Sequence, residues 1–543
     1  MFYEKLFHTL LITSAVLCSV AAHSQQPVAL NQPGAATDSL LNVEILEGVR
    51  KLEFRKVNDS TQLTILAGNV KLKQGTALFF CDSCVINNNS RTFEAWGSVH
   101  INDADTAHVY AGHLRYLMDK RFAFLDGGVR LTDGKGALTT PDLEYDMTTS
   151  IGTYLHGGRV INKKTILTSK EGYYYADLHD VYFKNNVLLI DPAYTIRTDS
   201  LLYNTQSQMT RFIAQTYIKD SSGRIIETKE GYYNLATGKA EFGQRPIVID
   251  GPRRYTANRI TSDDSTGIVQ LVGNAVVTDS VQGTTVIAGL ILQDRKNEKT
   301  LATNKPLMII KQDDDSIYIT ADTLFSARLT DLYGAKDSIV KDTVKGTKVV
   351  SVTKKDSANR YLEAYRNVRI FSDSLQAVSD SLFYSFKDSV FRLYQDPVVW
   401  SKESQISGDT LLLFTKNKKA DRVKAFENSF LVNQLEPEVY NQIKATRMDG
   451  YFTAGKIDSV RSAGDAACIY YIQDDDSAYT GINESKSEIL DVYFKDKELH
   501  KVVFRRAVTG TIWPIKQKDP AGMRLPGFRW MDSRRPKTKY DLF

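Results

Sequence analysis

A motif that recurs about every 30 residues is the feature that most restricts how this chain can fold. Each copy has a glycine or asparagine turn, then a short strand in which valine precedes a second apolar residue by two places. The clearest copies read AGNVKLKQG from 67, WGSVHIND from 96, GGVRLTDG from 127 and GGRVINKK from 157. Their valines are 29, 30 and 31 residues apart: Val70, Val99, Val129 and Val160. Repeats of this length indicate stacked units that each bury an apolar face against the next.

The spacing of apolar residues inside each copy predicts β-strands. Val99 and Ile101 flank His100, and Val129 and Leu131 flank Arg130, so one face is apolar and the other polar. A second strand motif follows, in copies such as CDSCVI from 81, TDSLLY from 198, SDSLFY from 379 and GDTLLLF from 408. Looser copies of the first motif continue as far as DPVVWSK from 396. The predicted fold class is therefore all-β, an elongated repeat solenoid of short strands.

Two recurring residue types are assigned to architecture. Glycines in the turns are expected to adopt left-handed or closely approached backbone: Gly68, Gly97, Gly128, Gly158 and Gly273. The aspartate that opens the second motif is expected to fix a corner by accepting nearby hydrogen bonds: Asp82, Asp142, Asp199, Asp322, Asp380 and Asp409. A hydrolase or lyase would need a local, non-repeating pair of carboxylates, so recurrence favours a structural role and the chain is predicted not to be an enzyme.

The ends of the chain and one interruption set the predicted domain boundaries. Residues 1–24 carry a lysine, an apolar stretch and a small-residue cleavage site, which is the pattern of a secretory signal peptide. A linker at 25–42 leads to repeats at 43–325, and a polar insertion or extended hairpin at 326–360 precedes further repeats at 361–510. The basic tail at 511–543 holds Phe528 and Trp530 as candidate docking aromatics. We expect an exported, periplasmic protein.

Motifs that suggest chemistry are few. Cys81 and Cys84 form a CxxC that could be half of a zinc site or a redox dithiol, but the repeat places Cys84 where other copies have leucine. We therefore expect Cys84 to be a core side chain, with an oxidised Cys81–Cys84 pair left open. His108 and His113 lack the remaining ligands of a metal site. The acidic runs at 313–315 and 474–476 fit calcium loops or solvated hairpin tips, and tips are favoured. No metal or cofactor is predicted.

The repeats resemble the OstA-like family, which includes the lipopolysaccharide-transport protein LptA and the N-terminal domain of LptD. The best matches are LAGNVKLKQGTALFFCDSCVI, AWGSVHINDADTAHVYAGHLRYL and ADTLF, and the resemblance extends over most of residues 43–510. It implies a β-jellyroll (β-taco), in which two facing sheets of antiparallel strands enclose the acyl chains of lipid A. It also implies end-to-end strand addition to other jellyroll-type transport proteins and delivery to an outer-membrane translocon.

The resemblance also indicates which residues would face a lipid. These candidates are the inward-pointing side chains of the early repeats: Val70, Leu72, Val99, Ile101, Leu114, Tyr116, Val129 and Leu131. Each of them is equally well explained as plain core packing. The predicted function is a periplasmic bridge for lipopolysaccharide, and the alternative is an exported structural or adhesive solenoid without lipid cargo. A net charge of +5 tolerates an anionic partner, and no nucleic acid is expected.

Overall fold

In the computed structural model, the described residues are 42–58, 61–311, 316–333, 360–416, 419–453, 456–474, 478–495 and 498–543. Their antiparallel strands join into one sheet of 42 strands, which confirms the predicted all-β class. One short helix, α1 (Thr330–Tyr333), and five 3-10 turns complete the described structure: Ala176–Leu178, Ile515–Gln517, Pro520–Gly522, Asp532–Arg534 and Lys539–Leu542.

The strands of the first half are β1 Glu44–Ile45, β2 Lys51–Asn58, β3 Thr61–Gln74, β4 Ala77–Asn87, β5 Thr92–Asp103, β6 Ala107–Leu117, β7 Phe122–Asp126, β8 Val129–Thr132, β9 Ala137–Thr140, β10 Leu143–Asp146, β11 Ile151–Tyr154, β12 Gly158–Asn162, β13 Thr165–Ser169, β14 Glu171–Tyr175, β15 Asp180–Ile190, β16 Tyr194–Asn204, β17 Met209–Phe212, β18 Thr216–Asp220, β19 Ile225–Thr228, β20 Glu230–Asn234 and β21 Lys239–Gly243.

Those of the second half are β22 Ile247–Asp250, β23 Arg253–Thr256, β24 Arg259–Asp263, β25 Ile268–Asp279, β26 Thr284–Asp294, β27 Lys299–Thr303, β28 Leu307–Lys311, β29 Ser316–Thr320, β30 Thr323–Arg328, β31 Arg360–Phe371, β32 Gln376–Ser385, β33 Val390–Tyr394, β34 Val398–Ser401, β35 Ser404–Ser407, β36 Thr410–Lys416, β37 Lys419–Glu436, β38 Val439–Thr453, β39 Lys456–Gln473, β40 Tyr479–Lys495, β41 Glu498–Arg505 and β42 Thr509–Pro514.

The pairing pattern divides this sheet into two facing walls joined along a bent seam. The strand β6 pairs with β7 through its second half and with β8 through its first half. The same division recurs at β16, which pairs separately with β17 and β18, and at β26, which pairs with β27 and β28. The first wall begins at β2 and ends at β41, and the second begins at β1 and ends at β42. The result is an elongated β-jellyroll.

The length of this jellyroll follows from the number of stacked layers. Each layer is either one long bent strand or a pair of short strands, one in each wall. About 28 layers at a strand spacing of ~4.8 Å extend over a distance on the order of 130 Å.

Left-handed residues at the seam let each strand turn from one wall into the other. In β3 the ladder shifts register between Ala67 and Val70, and Gly68 and Asn69 have φ values of 78° and 53°. The predicted glycines Gly97, Gly128 and Gly273 are also left-handed. Gly158 is not, but a Cβ there would lie 2.3 Å from the ring of Tyr154. The expectation of left-handed or closely approached backbone is therefore confirmed.

The predicted corner aspartates link successive layers at this seam. Asn367 donates through Nδ2 to both carboxylate oxygens of Asp322, at 3.1 and 3.2 Å, and Asn428 does the same to Asp409 at 3.3 and 3.1 Å. At these two aspartates the donors are side-chain amides from the left-handed corner of the following layer, where the sequence suggested backbone N–H groups, and Asp142 contacts His156 Nδ1 instead.

The basic tail packs back along the outside of the second wall. Residues 519–543, here called the C-terminal strap, run from β39 back to β29. Gln442 accepts from the backbone N–H of Leu525 at 2.9 Å and donates to the carbonyl of Met523 at 2.8 Å. Gln405 makes the same two-point contact with Met531 and Arg529, at 2.8 Å each. The strap therefore bonds to glutamine side chains of the wall, much as a strand bonds to a neighbour.

Apolar side chains of the strap fill gaps on that outer face. Leu525 lies in a cluster with Phe430, Val432, Tyr440 and others. Met531 packs with Val378, Val398 and Trp400, and Leu542 packs with Leu307 and Phe371. The candidate aromatics Phe528 and Trp530 have ring centroids 5.1 and 5.4 Å from that of Tyr440. The outer face of the second wall is thus a second, smaller core that exists only with the strap in place.

Some sequence expectations fall outside the described residues. The signal peptide and nearly all of the linker do, as do most of the insertion at 326–360 and most of both acidic runs. Of the insertion, β30 continues to Arg328 and is followed by α1. Among the described residues, no helix has the length and apolarity needed to cross a membrane.

Candidate functional site

All eight candidate lipid-facing residues lie on the inner surface of the jellyroll. Six belong to the second wall: Val70, Leu72, Val99, Ile101, Val129 and Leu131. The first wall contributes Leu114 and Tyr116. None exposes more than 2% of its surface, and all belong to one apolar cluster that extends from Leu66 to Phe494. In this structure the early repeats therefore present a packed interior.

The first wall supplies more of this interior than the sequence analysis found. Its buried side chains include Leu66, Cys84, Ile86, Phe93 and Leu125. Phe79, Phe93 and Tyr116 form an aromatic cluster with ring centroids 4.8 to 5.3 Å apart. Cys84 and Tyr116 were expected from the sequence. The others alternate within their strands, but no recurrent valine marks them.

The two walls meet again along the edge opposite the seam, here called the mouth. Polar side chains form hydrogen bonds across it. The hydroxyl of Tyr116 in the first wall donates to Gln74 Oε1 in the second at 2.6 Å. One repeat later, Tyr145 donates to Asp103 Oδ2 at 3.0 Å. All four side chains are buried. Each bond joins the two walls, so hydrogen bonds as well as apolar packing hold the mouth closed. We call each such bond a latch.

The latches continue along the early repeats. Thr205 Oγ1 donates to Asp133 Oδ2 at 2.8 Å, and Asn162 Nδ2 donates to the carbonyl of Thr205 at 2.6 Å. We call this row of bonds the latch row: Gln74–Tyr116, Asp103–Tyr145, Asp133–Thr205 and Asn162–Thr205. Tyrosines recur every 29 residues in this part of the chain: Tyr116, Tyr145, Tyr174 and Tyr203. This periodicity is visible in the sequence, but the repeats described above were defined by their valines.

The pKa values of the two latch carboxyl groups are shifted in opposite directions. For Asp103, burial is the largest influence and raises the pKa, against the hydrogen bond from Tyr145. Burial also acts to raise the pKa of Asp133, but hydrogen bonds from the backbone of Gly136 and neighbouring donors outweigh it and lower the pKa to about 2. Asp133 is therefore charged in the folded protein at any pH well above that value.

The lowered pKa of Asp133 predicts an acid-dependent latch. Because the pKa is below the unfolded value, the stabilisation is present above about pH 4 and is lost as the pH falls towards 2. Asp133→Asn should cost about 2 kcal/mol at pH 7, the typical value for hydrogen bonds to a buried charge, and much less at pH 2.5. The measurement is the difference in melting temperature between wild type and variant at each pH.

The exposed carboxylate of Asp126 provides the matched control. Asp133 contacts His179 Nδ1 at 2.9 Å, and Asp126 likewise contacts His113 Nδ1 at 2.9 Å but lies at the surface. Asp126→Asn should change the melting temperature little at either pH. An Asp133→Asn deficit that is equally large at pH 7 and pH 2.5 would show that its charge does not hold the latch.

In the middle of the chain, bonds between the walls continue, as where Gln293 Nε2 donates to the hydroxyl of Tyr255 at 3.1 Å, and arginines form ion pairs within each wall. Arg253 donates to Asp279 at 3.1 Å, and Arg295 pairs with Asp264 at 2.6 Å. Arg360 lies between the walls beside Glu298. Two cavities of about 70 and 20 Å³ open here and share Gln293 as a lining residue. The residues that line the two cavities lie between Arg224 and Phe386.

The remaining chemical candidates do not form a reactive centre. Cys81, Cys84 and Cys468 are buried free thiols, and Cys84 takes the core position that the repeat predicted. A hydrogen bond with Cys81 and burial raise the pKa of Cys84. Among the described residues, no group of three or more His, Cys, Asp or Glu side chains could hold a metal ion.

The architecture defines the class of protein: a long β-jellyroll with one continuous apolar interior, a polar latched mouth and no reactive centre among its described residues. Residues 42–199 match the model of the OstA-like protein family. Over this segment, less than a third of the chain, the protein is similar to OstA-like proteins, which confirms the resemblance inferred from the sequence for these residues. The matched segment contains all eight candidate residues and the first half of the latch row.

Other comparisons add little. One solved structure to which the chain is similar is LptH from Pseudomonas aeruginosa, the LptA homologous periplasmic component of the conserved lipopolysaccharide transport device. The two share 13% identity over 26% of this chain and 82% of that one, with a TM-score of 0.19, a likeness too low to support any argument. No curated protein matches the chain.

Proposed function

We propose that this protein binds lipopolysaccharide in the periplasm and carries its acyl chains along the jellyroll interior towards the outer membrane. The observation that supports this proposal most strongly is the continuity of the interior: one apolar cluster extends from Leu66 to Phe494. The match of residues 42–199 to the OstA-like family supports the proposal, because the family that these repeats resemble includes lipopolysaccharide-transport proteins. The proposed role is non-enzymatic and needs no cofactor.

The energetics permit the closed structure to open for a lipid. Burying one methylene group is worth about 0.8 kcal/mol, so a chain of about twelve carbons brings on the order of 10 kcal/mol. A latch hydrogen bond contributes a net ~1 kcal/mol. Several latches can therefore part for each acyl chain that enters. A lipid bound between the walls would replace contacts such as Phe79–Tyr116 with contacts to its own chain.

The N-terminal end of the jellyroll supports an assembly role. β2 pairs with β3 on one side, and its other edge pairs with no strand among the described residues. Phe54 on β2 is 74% exposed, with Leu52 and Val57 also exposed beside it. Unpaired strand edges recruit further strands. We propose that this end receives another jellyroll-type transport protein, and that the far end meets an outer-membrane translocon.

The packed interior favours the alternative function, a structural or adhesive solenoid without cargo. A solenoid that only spans a distance needs a closed core, and Ile101, Leu114, Tyr116 and Leu131 are fully buried. The two proposals differ in whether the walls separate to admit a lipid. Detection of lipid bound between the walls therefore distinguishes them.

Depletion of the protein in its double-membraned host tests the transport function. Lipopolysaccharide should then accumulate at the inner membrane and decline at the cell surface within a few generations. Re-expression of the wild type should reverse both effects. Normal surface lipopolysaccharide after complete depletion would exclude transport and leave the structural alternative.

A further inference from the structure

We propose that the larger cavity is a binding site for the anionic head group of a single-chain amphiphile, held between Arg253 and Arg360. This inference rests on the proposed function, because a full acyl chain can follow its head group only if the walls part. It specifies which kind of ligand group would bind at one position of the interior. The residues concerned lie outside the segment that matches the OstA-like family.

The cavity is lined by two arginines, by the carboxylate of Asp279 and by neutral polar and apolar side chains. Val277, Val286 and Met308 line it from the second wall, and Leu324 and Leu362 line it from the first. Arg253 and Arg360 stand among these apolar residues. Its volume of about 70 Å³ admits a phosphoryl or carboxylate group with the first carbons of a chain. A neutral ligand would leave the arginines unused, and a purely ionic one would leave the apolar side chains unused.

Arg360 is charged, buried and incompletely bonded. It is only 5% exposed. Its Nη2 donates to the carbonyl of Glu298 at 2.9 Å and to Ser326 Oγ at 3.3 Å. Its Nη1 has no hydrogen-bond partner among the described residues, and the nearest carboxylate oxygen, Glu298 Oε2, is 3.7 Å away. A buried guanidinium nitrogen without an acceptor is costly, and an anion in the cavity would satisfy it.

The second arginine strengthens the case for an anion. Arg253 donates through Nε to Asp279 Oδ2 at 3.1 Å, which leaves other guanidinium N–H groups for a ligand. Burial, followed by the nearby charge of Arg253, lowers the pKa of Arg360, so the two cations lie close enough to repel each other. The carboxylates of Asp279 and Glu298 offset part of this repulsion, and a ligand with one negative charge between the two arginines would reduce it further. The planar fork of arginine suits phosphoryl and carboxylate oxygens.

Titration of purified full-length protein with dodecyl phosphate tests the site. Wild type should bind it at least tenfold more tightly than inorganic phosphate or uncharged dodecyl maltoside. Arg253→Met and Arg360→Met should each weaken dodecyl phosphate binding tenfold or more. Arg254→Met is the matched control, because Arg254 is the next residue on β23 and is exposed; it should change binding less than twofold.

A variant with unaltered charge separates lost binding from lost folding. Ala302→Leu narrows the cavity that Ala302 lines and keeps both arginines, so it should also weaken dodecyl phosphate binding while hydrogen exchange elsewhere stays unchanged. Equal binding of inorganic phosphate or of the maltoside would overturn the proposed ligand class. Wild-type binding that Arg253→Met and Arg360→Met leave intact would overturn the site. Lipid capture at Ile101, described below, would still support the transport function in either case.

Discussion

Deletion of the C-terminal strap, residues 519–543, should reduce the protection of backbone amides from hydrogen exchange in the second wall of the jellyroll's C-terminal third. Leu525, Met531 and Leu542 are each buried against the second wall, at about 1.5 to 3 kcal/mol per side chain. Their loss would also expose Trp400 and leave buried glutamine groups unpaired. We expect amide hydrogen exchange in the second-wall parts of β37 to β40 to accelerate by a factor on the order of 10³, together with increased binding of an apolar dye.

Repeat architecture provides the internal control for this deletion. Each layer contacts its neighbours, so the loss should stay near the site of change, and exchange in β3 to β6 should be unaltered. Point variants sharpen the test: Leu542→Ala should accelerate exchange near β29 to β31, whereas Tyr540→Ala, at a position 73% exposed, should not. Unchanged exchange after full deletion would mean that the strap merely rests on a wall that is stable without it.

Substitution of Gly172 by alanine should destabilise the layers around β11 to β14 by about 3 kcal/mol, at the upper end of the usual cost of overpacking. Tyr154 is fully buried, and its hydroxyl contacts Ser169 Oγ at 2.7 Å. Its ring lies across two glycines: a Cβ on Gly172 would come within 2.3 Å of its hydroxyl, and one on Gly158 within 2.3 Å of its ring. Hydrogen exchange of the β11 to β14 amides measures the local effect.

A second substitution separates steric conflict from a general intolerance of alanine. Tyr154→Leu removes the outer part of the ring, so Gly172→Ala combined with Tyr154→Leu should cost less than the sum of the two single changes. Tyr154→Phe removes the hydroxyl but keeps the ring carbons, which a Cβ on Gly172 would still meet at 2.4 and 2.5 Å, and should give little relief. Gly243→Ala, whose new Cβ would meet only Glu230 Oε2 at 4.0 Å, should be nearly neutral. Additive costs for the Leu combination would contradict the proposed contact.

The sequence was most informative where one residue type recurs at one place in every layer. The valines of the second wall and the seam glycines recur because each layer repeats the same bend, so the repeat located Val70, Val99 and Gly68 correctly. It also reassigned Cys84 from a redox motif to the core. The first wall varies more: Phe93 and Leu66 fill space that depends on neighbouring layers, and no single residue type marks them.

The latches and the strap show why contacts between distant parts of the chain could not be deduced from the sequence. Tyr116 meets Gln74 from 42 residues away, a distance fixed by how strands stack and not by any local pattern. The strap was recognisable as a docking tail, since Phe528 and Trp530 are conspicuous in a polar segment. Its docking surface had a signal too: β37 is buried on both faces through the run FLVN, which one solvated wall would not require. Only the structure shows that the tail docks on this surface.

Site-specific photo-crosslinking in growing cells tests most directly whether the interior carries lipid. A diazirine amino acid of about leucine size would be placed at Ile101 or Leu131 inside the jellyroll, and at Arg130, the outward-facing neighbour of Leu131. Transport predicts lipopolysaccharide adducts at both inner positions and none at Arg130. Adducts at Arg130 alone, or at no position while the cells export lipopolysaccharide normally, would contradict the account.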